Sequence, residues 1–133
     1  PSSVRTGKLT ERFATPLPGG TASAEVVAGF RQAMVLYNMS QSDRRLVPPV
    51  TDYVTGSMLK ALNRTISAFK QQNLVPAGTD RLFKTTVTSV TGQTAKLTTC
   101  DDGSKYTEVN PATGAVAPSF ENVPLDDQYV VET

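Results

Sequence analysis

The sequence contains no histidine and no tryptophan, and its only cysteine is Cys100. Without histidine there can be no Ser-His-Asp triad, no Cys-His pair and no His-ligated zinc site. A single cysteine excludes an intramolecular disulfide, and its commonest role is that of a small buried hydrophobe. Long apolar runs are also missing, and none approaches the ~20 residues that a membrane-spanning helix needs. Aromatic residues make up 7% of the chain, and no aromatic-rich basic stripe is present, which argues against a nucleic-acid partner. The chain opens at Pro1 with neither an initiator Met nor a signal-like apolar stretch. It therefore reads as a processed or trimmed product, with any targeting segment outside it.

What remains has the size of one domain. The 133 residues are enough to bury a self-sufficient core without staples. The net charge of +1 hides an uneven distribution. Residues 1–84 hold eleven Lys/Arg and five Asp/Glu, and residues 85–133 hold two and seven. Such a division can orient a partner if the halves stay apart; a solvated helical face with acidic turns is the ordinary reading.

Residues 1–20 read as a flexible N-terminal arm, because Pro16-Leu17-Pro18-Gly19-Gly20 can continue neither a helix nor a central strand. Residues 21–133 read as the folded domain. Val26, Val27, Phe30, Ala33, Met34 and Tyr37 recur at helical spacing up to about Met39, where Ser40-Gln41-Ser42-Asp43 breaks the stripe. A short helix is predicted to begin near Pro49. A longer one is predicted over Ser57–Asn73, with Leu59, Leu62, Ile66 and Phe69 on one face and Asn73 as its C-cap. The period then changes. Leu82–Val90, Thr94–Cys100 and Lys105–Val109 read as short strands joined by turns at Thr91–Gln93, Asp101–Ser104 and Asn110–Gly114, with Gln128–Thr133 as a last strand. Helices first and strands later predict an α+β fold with an antiparallel sheet. Ala95 and Leu97 share one parity and Cys100 has the other, which predicts a β-bulge near Thr98-Thr99 if all three face the core.

Several of these segments, in this order, resemble the NTF2-like superfamily (the cystatin-like cone), in particular its small secreted or lipid-anchored actinobacterial members. Asp52-Tyr53-Val54-Thr55-Gly56 resembles the entry to that family's long helix. Leu59-x-x-Leu62 and Ile66-x-x-Phe69 match the helix itself. Thr88-Ser89-Val90-x-Gly92-x-x-Ala95 resembles its hairpin. Cys100-Asp101 and Val109-x-Pro111-x-Thr113-Gly114 resemble its closing hairpin. Asp101 directly follows Cys100, where the family places a spacer, and the family's late Trp is absent.

The resemblance implies N-terminal helices packed in the concave face of a curved antiparallel sheet, with a pocket at the open end. It implies an extracellular or cell-envelope location and allows a membrane tether outside the given chain. Enzymes of this shape use carboxylates and tyrosines lining the cone, and the candidates are Asp52, Tyr37, Tyr53 and Tyr106. Tyr37, Tyr53, Phe69 and Tyr106 are the expected pocket residues. No catalytic set, metal site or cofactor is expected: Asp101-Asp102-Gly103-Ser104 reads as a hairpin turn, since calcium needs six or more oxygens from spaced donors. The expected function is a non-catalytic binding module for a small apolar ligand or a protein partner. The alternatives are an assembly domain of an envelope complex, including a homodimer through the sheet, and an isomerase- or dehydratase-like enzyme.

Overall fold

The computed structural model describes residues 2–117 and the backbone of 125–132. Its first elements are strands. β1 (Ser2–Thr6) and β2 (Lys8–Phe13) form a tight hairpin turned at Gly7. Three helices follow, α1 (Thr21–Asp43), α2 (Val50–Tyr53) and α3 (Gly56–Gln72). The chain then returns as β3 (Val75–Thr91), β4 (Thr94–Val109) and β5 (Leu125–Glu132). The five strands lie in sequence order in one sheet. No helix among the described residues is long and apolar enough to cross a membrane.

The fold is α+β, and three expectations need correction. Most of the segment expected to be a flexible arm forms β1 and β2. Leu9, Glu11 and Phe13 are buried, Ala14 donates its backbone N–H to the Leu82 carbonyl at 2.8 Å, and Thr85 N–H donates to Thr15 Oγ1 at 3.1 Å. The prolines and glycines of 16–20 punctuate only the loop into α1. Secondly, the sheet is mixed, because β2 runs parallel to β3 while the other pairs are antiparallel. The three helices form the long crossover that a parallel pair requires. Thirdly, no turn divides 101–104, and β4 runs through to Val109. The turn at 110–114 is present: Asn110 Oδ1 accepts from the N–H groups of Ala112 and Thr113.

The expected bulge at Thr98-Thr99 is also absent. β4 pairs with β5 without interruption from Thr94 to Asp101, and Ala95, Leu97 and Thr99 share the buried face. Cys100 lies on the other face, half-buried and opposite Phe83. The extra residues belong to β3 instead, between Phe83 and Thr86 and between Val87 and Ser89. Lys84 takes a positive φ of 53° there. This bulge turns Thr85 inward, where its hydroxyl meets Thr99 Oγ1 at 2.8 Å, and Thr99 in turn donates to the Phe83 carbonyl. Thr99 is 1% exposed. Thr99→Val removes both bonds and leaves part-buried partners unpaired, so a loss of about 1–2 kcal/mol is expected. Urea unfolding of the variant measures it; an unchanged midpoint would show that the bulge does not depend on this pair.

α1 is the central layer. Val26, Phe30 and Met34 recur every four residues and pack on Phe13, Leu82, Ala95 and Leu97 of the sheet. Ala33, Leu36 and Tyr37 pack instead with Val50, Val54, Leu62 and Ile66 of the other helical segments. α1 continues past Met39 to Asp43 despite the polar run, because that run is satisfied internally. Ser40 Oγ donates to the Leu36 carbonyl and accepts from Val47 N–H. α3 ends as expected at Asn73, whose φ of 53° is left-handed.

Candidate functional site

The stripe that packs α1 on the sheet has a fourth member. One turn beyond Met34 lies Asn38, buried, with its side-chain amide donating to Glu11 Oε1 at 3.2 Å. Glu11 occupies the middle inward position of β2, between Leu9 and Phe13, and is 1% exposed. The parallel register sets Asp80 of β3 directly beside it, and the two carboxyl groups interact through a side-chain hydrogen bond. Asp80 also meets Asp101, which sits opposite Leu82 on β4. Three carboxyl groups from three adjacent strands thus lie together beneath α1.

Gly78 makes this convergence possible. An added Cβ would stand 2.1 Å from the Lys105 carbonyl oxygen, and the glycine has a φ of 84°, which L side chains rarely adopt. Close approach of β3 to β4 at this point, beside the register shift between Thr79 and Arg81, sets Tyr106 opposite Gly78 and near Asp80. Tyr106 donates its hydroxyl to Glu108 at 2.9 Å and lies within electrostatic reach of Tyr37 of α1. The cluster therefore grades from a buried floor of Glu11 and Asn38 to half-buried walls of Asp80, Tyr37, Tyr106 and Glu108.

Its electrostatics follow from burial. Desolvation pushes the Glu11 carboxyl up from 4.5 to about 7, with Asp101 adding repulsion, while hydrogen bonds from Asp80 and Asn38 oppose the rise. Desolvation likewise pushes Asp80 from 3.8 to about 7, and the Glu11 charge adds to it. Burial raises the Tyr106 hydroxyl, helped by the neighbouring Glu108 charge, and burial raises Tyr37 as well. With every carboxyl ionised, Glu11 Oε2 would have no hydrogen-bond donor. One proton held between Glu11 and Asp80 supplies the donor and removes the repulsion of two adjacent negative charges. Near neutrality the floor can both donate and accept a hydrogen bond. Among the described residues, no group of three or more Cys, Asp or Glu is arranged to hold a metal ion.

The expected pocket residues are dispersed. Tyr106 lies in the cluster beside Asp80, with Tyr37 within electrostatic reach while its ring packs on the Leu36, Val50 and Leu62 group. Tyr53 is 48% exposed on α2, and Phe69 is buried in α3. Asp52 lies exposed in the first turn of α2, outside the desolvated set. Glu11, Asp80 and Asn38 were not foreseen. A signal for Glu11 was present, since Leu9-x-Glu11-x-Phe13 places a carboxylate on the apolar parity of an alternating strand. The same holds for Asp80 two residues before Leu82.

Fold and site together define an α+β domain with a five-stranded mixed sheet and a carboxyl pair beneath its central helix. Comparison with protein-family models, curated proteins and solved structures finds no match to the chain.

Proposed function

We propose that the protein is a non-catalytic binding module of the cell envelope with an NTF2-like cone, and that it takes a small, mostly apolar ligand at the Tyr37–Tyr106 cluster. One observation carries this reading: half-buried Tyr106, with half-buried Tyr37 in electrostatic reach, lies beside Asp80 and so beside the desolvated Glu11–Asp80 pair. Tyrosine rings offer apolar walls with polar tips. A carboxyl pair that shares one proton can donate to or accept from one uncharged polar group, such as a hydroxyl or carbonyl, and its remaining negative charge, with Glu108 in the walls, disfavours an anion. The envelope location rests on the resemblance of residues 49–114 to secreted and lipid-anchored proteins.

The neutral apolar dye Nile red is the probe. Saturable 1:1 binding is expected, weakened at least about ten-fold by Tyr106→Ala and unchanged by Tyr53→Ala. Absence of saturable binding, or equal loss in both variants, overturns the reading. Raised carboxyl pKa values beside a tyrosine favour a second reading, an isomerase- or dehydratase-like enzyme, because a general base works best with a pKa near the operating pH. Catalysed deuterium exchange next to a ketone carbonyl, abolished by Asp80→Asn, would replace the binding reading with that one.

A further inference from the structure

The outer side of the sheet, turned away from α1, carries an array of cations. The register aligns Arg5, Thr10, Thr79 and Lys105 in one row across four strands, and Ser3, Arg12, Arg81 and Asp102 in the next. Burial follows the alternation along β2, where Leu9, Glu11 and Phe13 are buried while Lys8 and Arg12 are exposed. Arg12 and Arg81 are direct neighbours, and like charges side by side on a sheet destabilise it. One carboxylate shares these rows, Asp102, near Arg81 and Lys105. It stands against four cations in them, Arg5, Arg12, Arg81 and Lys105, and Lys8 extends the array on the exposed side of β2. The ion pair found among the described residues, Arg45–Asp43, lies elsewhere.

The charge division foreseen between the two halves of the chain is therefore redistributed. Strands β1 and β2 bring basic residues of the N-terminal segment onto the sheet. The acidic cluster lies on the helix side and the basic array on the outer side of the same strands.

We propose that this outer face docks the protein on an anionic lipid surface. Side chains on one face of a sheet stand roughly perpendicular to it, so charges from four strands present themselves together over about 14 Å. A bilayer surface engages such an array all at once. Single-stranded nucleic acid needs a groove and free aromatic rings on which bases stack. The ring of Phe83, on this face, is already covered by the Arg81 guanidinium 4.5 Å from its centroid. Attraction between basic groups and an anionic leaflet accumulates with each charge and is screened by salt. The docking face is independent of the ligand reading, since the two use opposite sides of the sheet.

Co-sedimentation of the full chain with vesicles tests the proposal. Binding to equimolar phosphatidylglycerol/phosphatidylcholine vesicles at low salt is expected to exceed binding to pure phosphatidylcholine at least about ten-fold, and to disappear in high salt. Arg12→Glu with Arg81→Glu should abolish the preference. Because Arg81 packs on Phe83, a second variant at exposed positions, Lys8→Glu with Lys105→Glu, should weaken binding about ten-fold with an unchanged thermal melt. Equal binding to both vesicle types, wild-type binding by the second variant, or tighter binding to a single-stranded oligonucleotide than to the anionic vesicles overturns the proposal.

Discussion

Deleting residues 1–13 is expected to leave a chain that does not unfold cooperatively at 25 °C. The deletion removes β1 and β2, and with them Leu9 at 2% exposure and Phe13 at 4%. Phe13 belongs to the apolar layer between α1 and the sheet, and the Arg31 guanidinium lies over its ring at 5.3 Å. Ser42 Oγ donates to the Thr6 carbonyl, so the deleted segment touches α1 both at its middle, through Arg31, and at its C-terminal end. Truncating one buried Leu or Phe costs about 2–5 kcal/mol. Losing two of them, together with the strand that pairs β3, reaches the whole stability of an ordinary domain, about 5–15 kcal/mol. Circular dichroism and urea titration read the result. Leu9→Ala and Phe13→Ala, each less damaging than the deletion, should each lower stability by about 2–5 kcal/mol. A deletion variant with the melting temperature of the full chain would show that the segment is a dispensable arm.

Stability should fall as pH rises through neutrality, opposite to the trend that salt-bridged carboxylates produce. Glu11 and Asp80 titrate near 4.5 and 3.8 when unfolded and near 7 in the fold. The folded state therefore holds a proton that the unfolded chain has already released. A raised acid pKa leaves stability complete below the unfolded value and removes it as pH rises through the folded one. For Glu11, at 1% exposure, a rise from 4.5 to about 7 corresponds to about 3 kcal/mol lost between pH 4 and pH 8. Glu11→Gln keeps the acceptor for Asn38 and cannot ionise. It should flatten this dependence and make the variant more stable than the wild type at pH 8, by about 2 kcal/mol. Urea unfolding across that pH range is the measurement. A wild-type stability that rises from pH 5 to pH 8 would mean that the carboxyls are ionised and paired with cations in the fold.

The helices were legible because their cause is local. Leu62, Ile66 and Phe69 recur at helical spacing, Asn73 ends α3 as its type suggests, and the stripe from Val26 to Tyr37 marks α1. The polar run after Met39 misplaced the end of α1, because Ser40 has partners in Leu36 and Val47 that spacing does not reveal. The hairpin at Gly92 was also legible, as a local turn between β-rich runs. The bulge was foreseen on the wrong strand. Parity within β4 assumed that Cys100 faces the core, whereas Thr99 does, and the extra residue is absorbed at Lys84 of the partner strand.

The site was less legible, for a different reason. Leu9, Glu11 and Phe13 announce an alternating strand, yet the prolines and glycines of 16–20 make residues 1–20 look unstructured. Nothing near Glu11 in the sequence identifies Asp80 as its neighbour, 69 positions away. Parallel pairing of β2 with β3 makes them adjacent, and only the packing of α1 across both strands brings Asn38 over the pair.

Residue type and local period were enough for the helices, the α+β class and the exclusion, within this chain, of histidine chemistry and of an internal disulfide. The tertiary structure decided the rest. It converted most of an apparent arm into two strands and made the sheet mixed. It gathered Glu11, Asp80, Asp101 and Tyr106 from three strands and sorted the charges onto two faces. Those outcomes depend on which strands pair and in what register. Pairing is settled by burial of apolar surface shared between distant segments, which no local window contains.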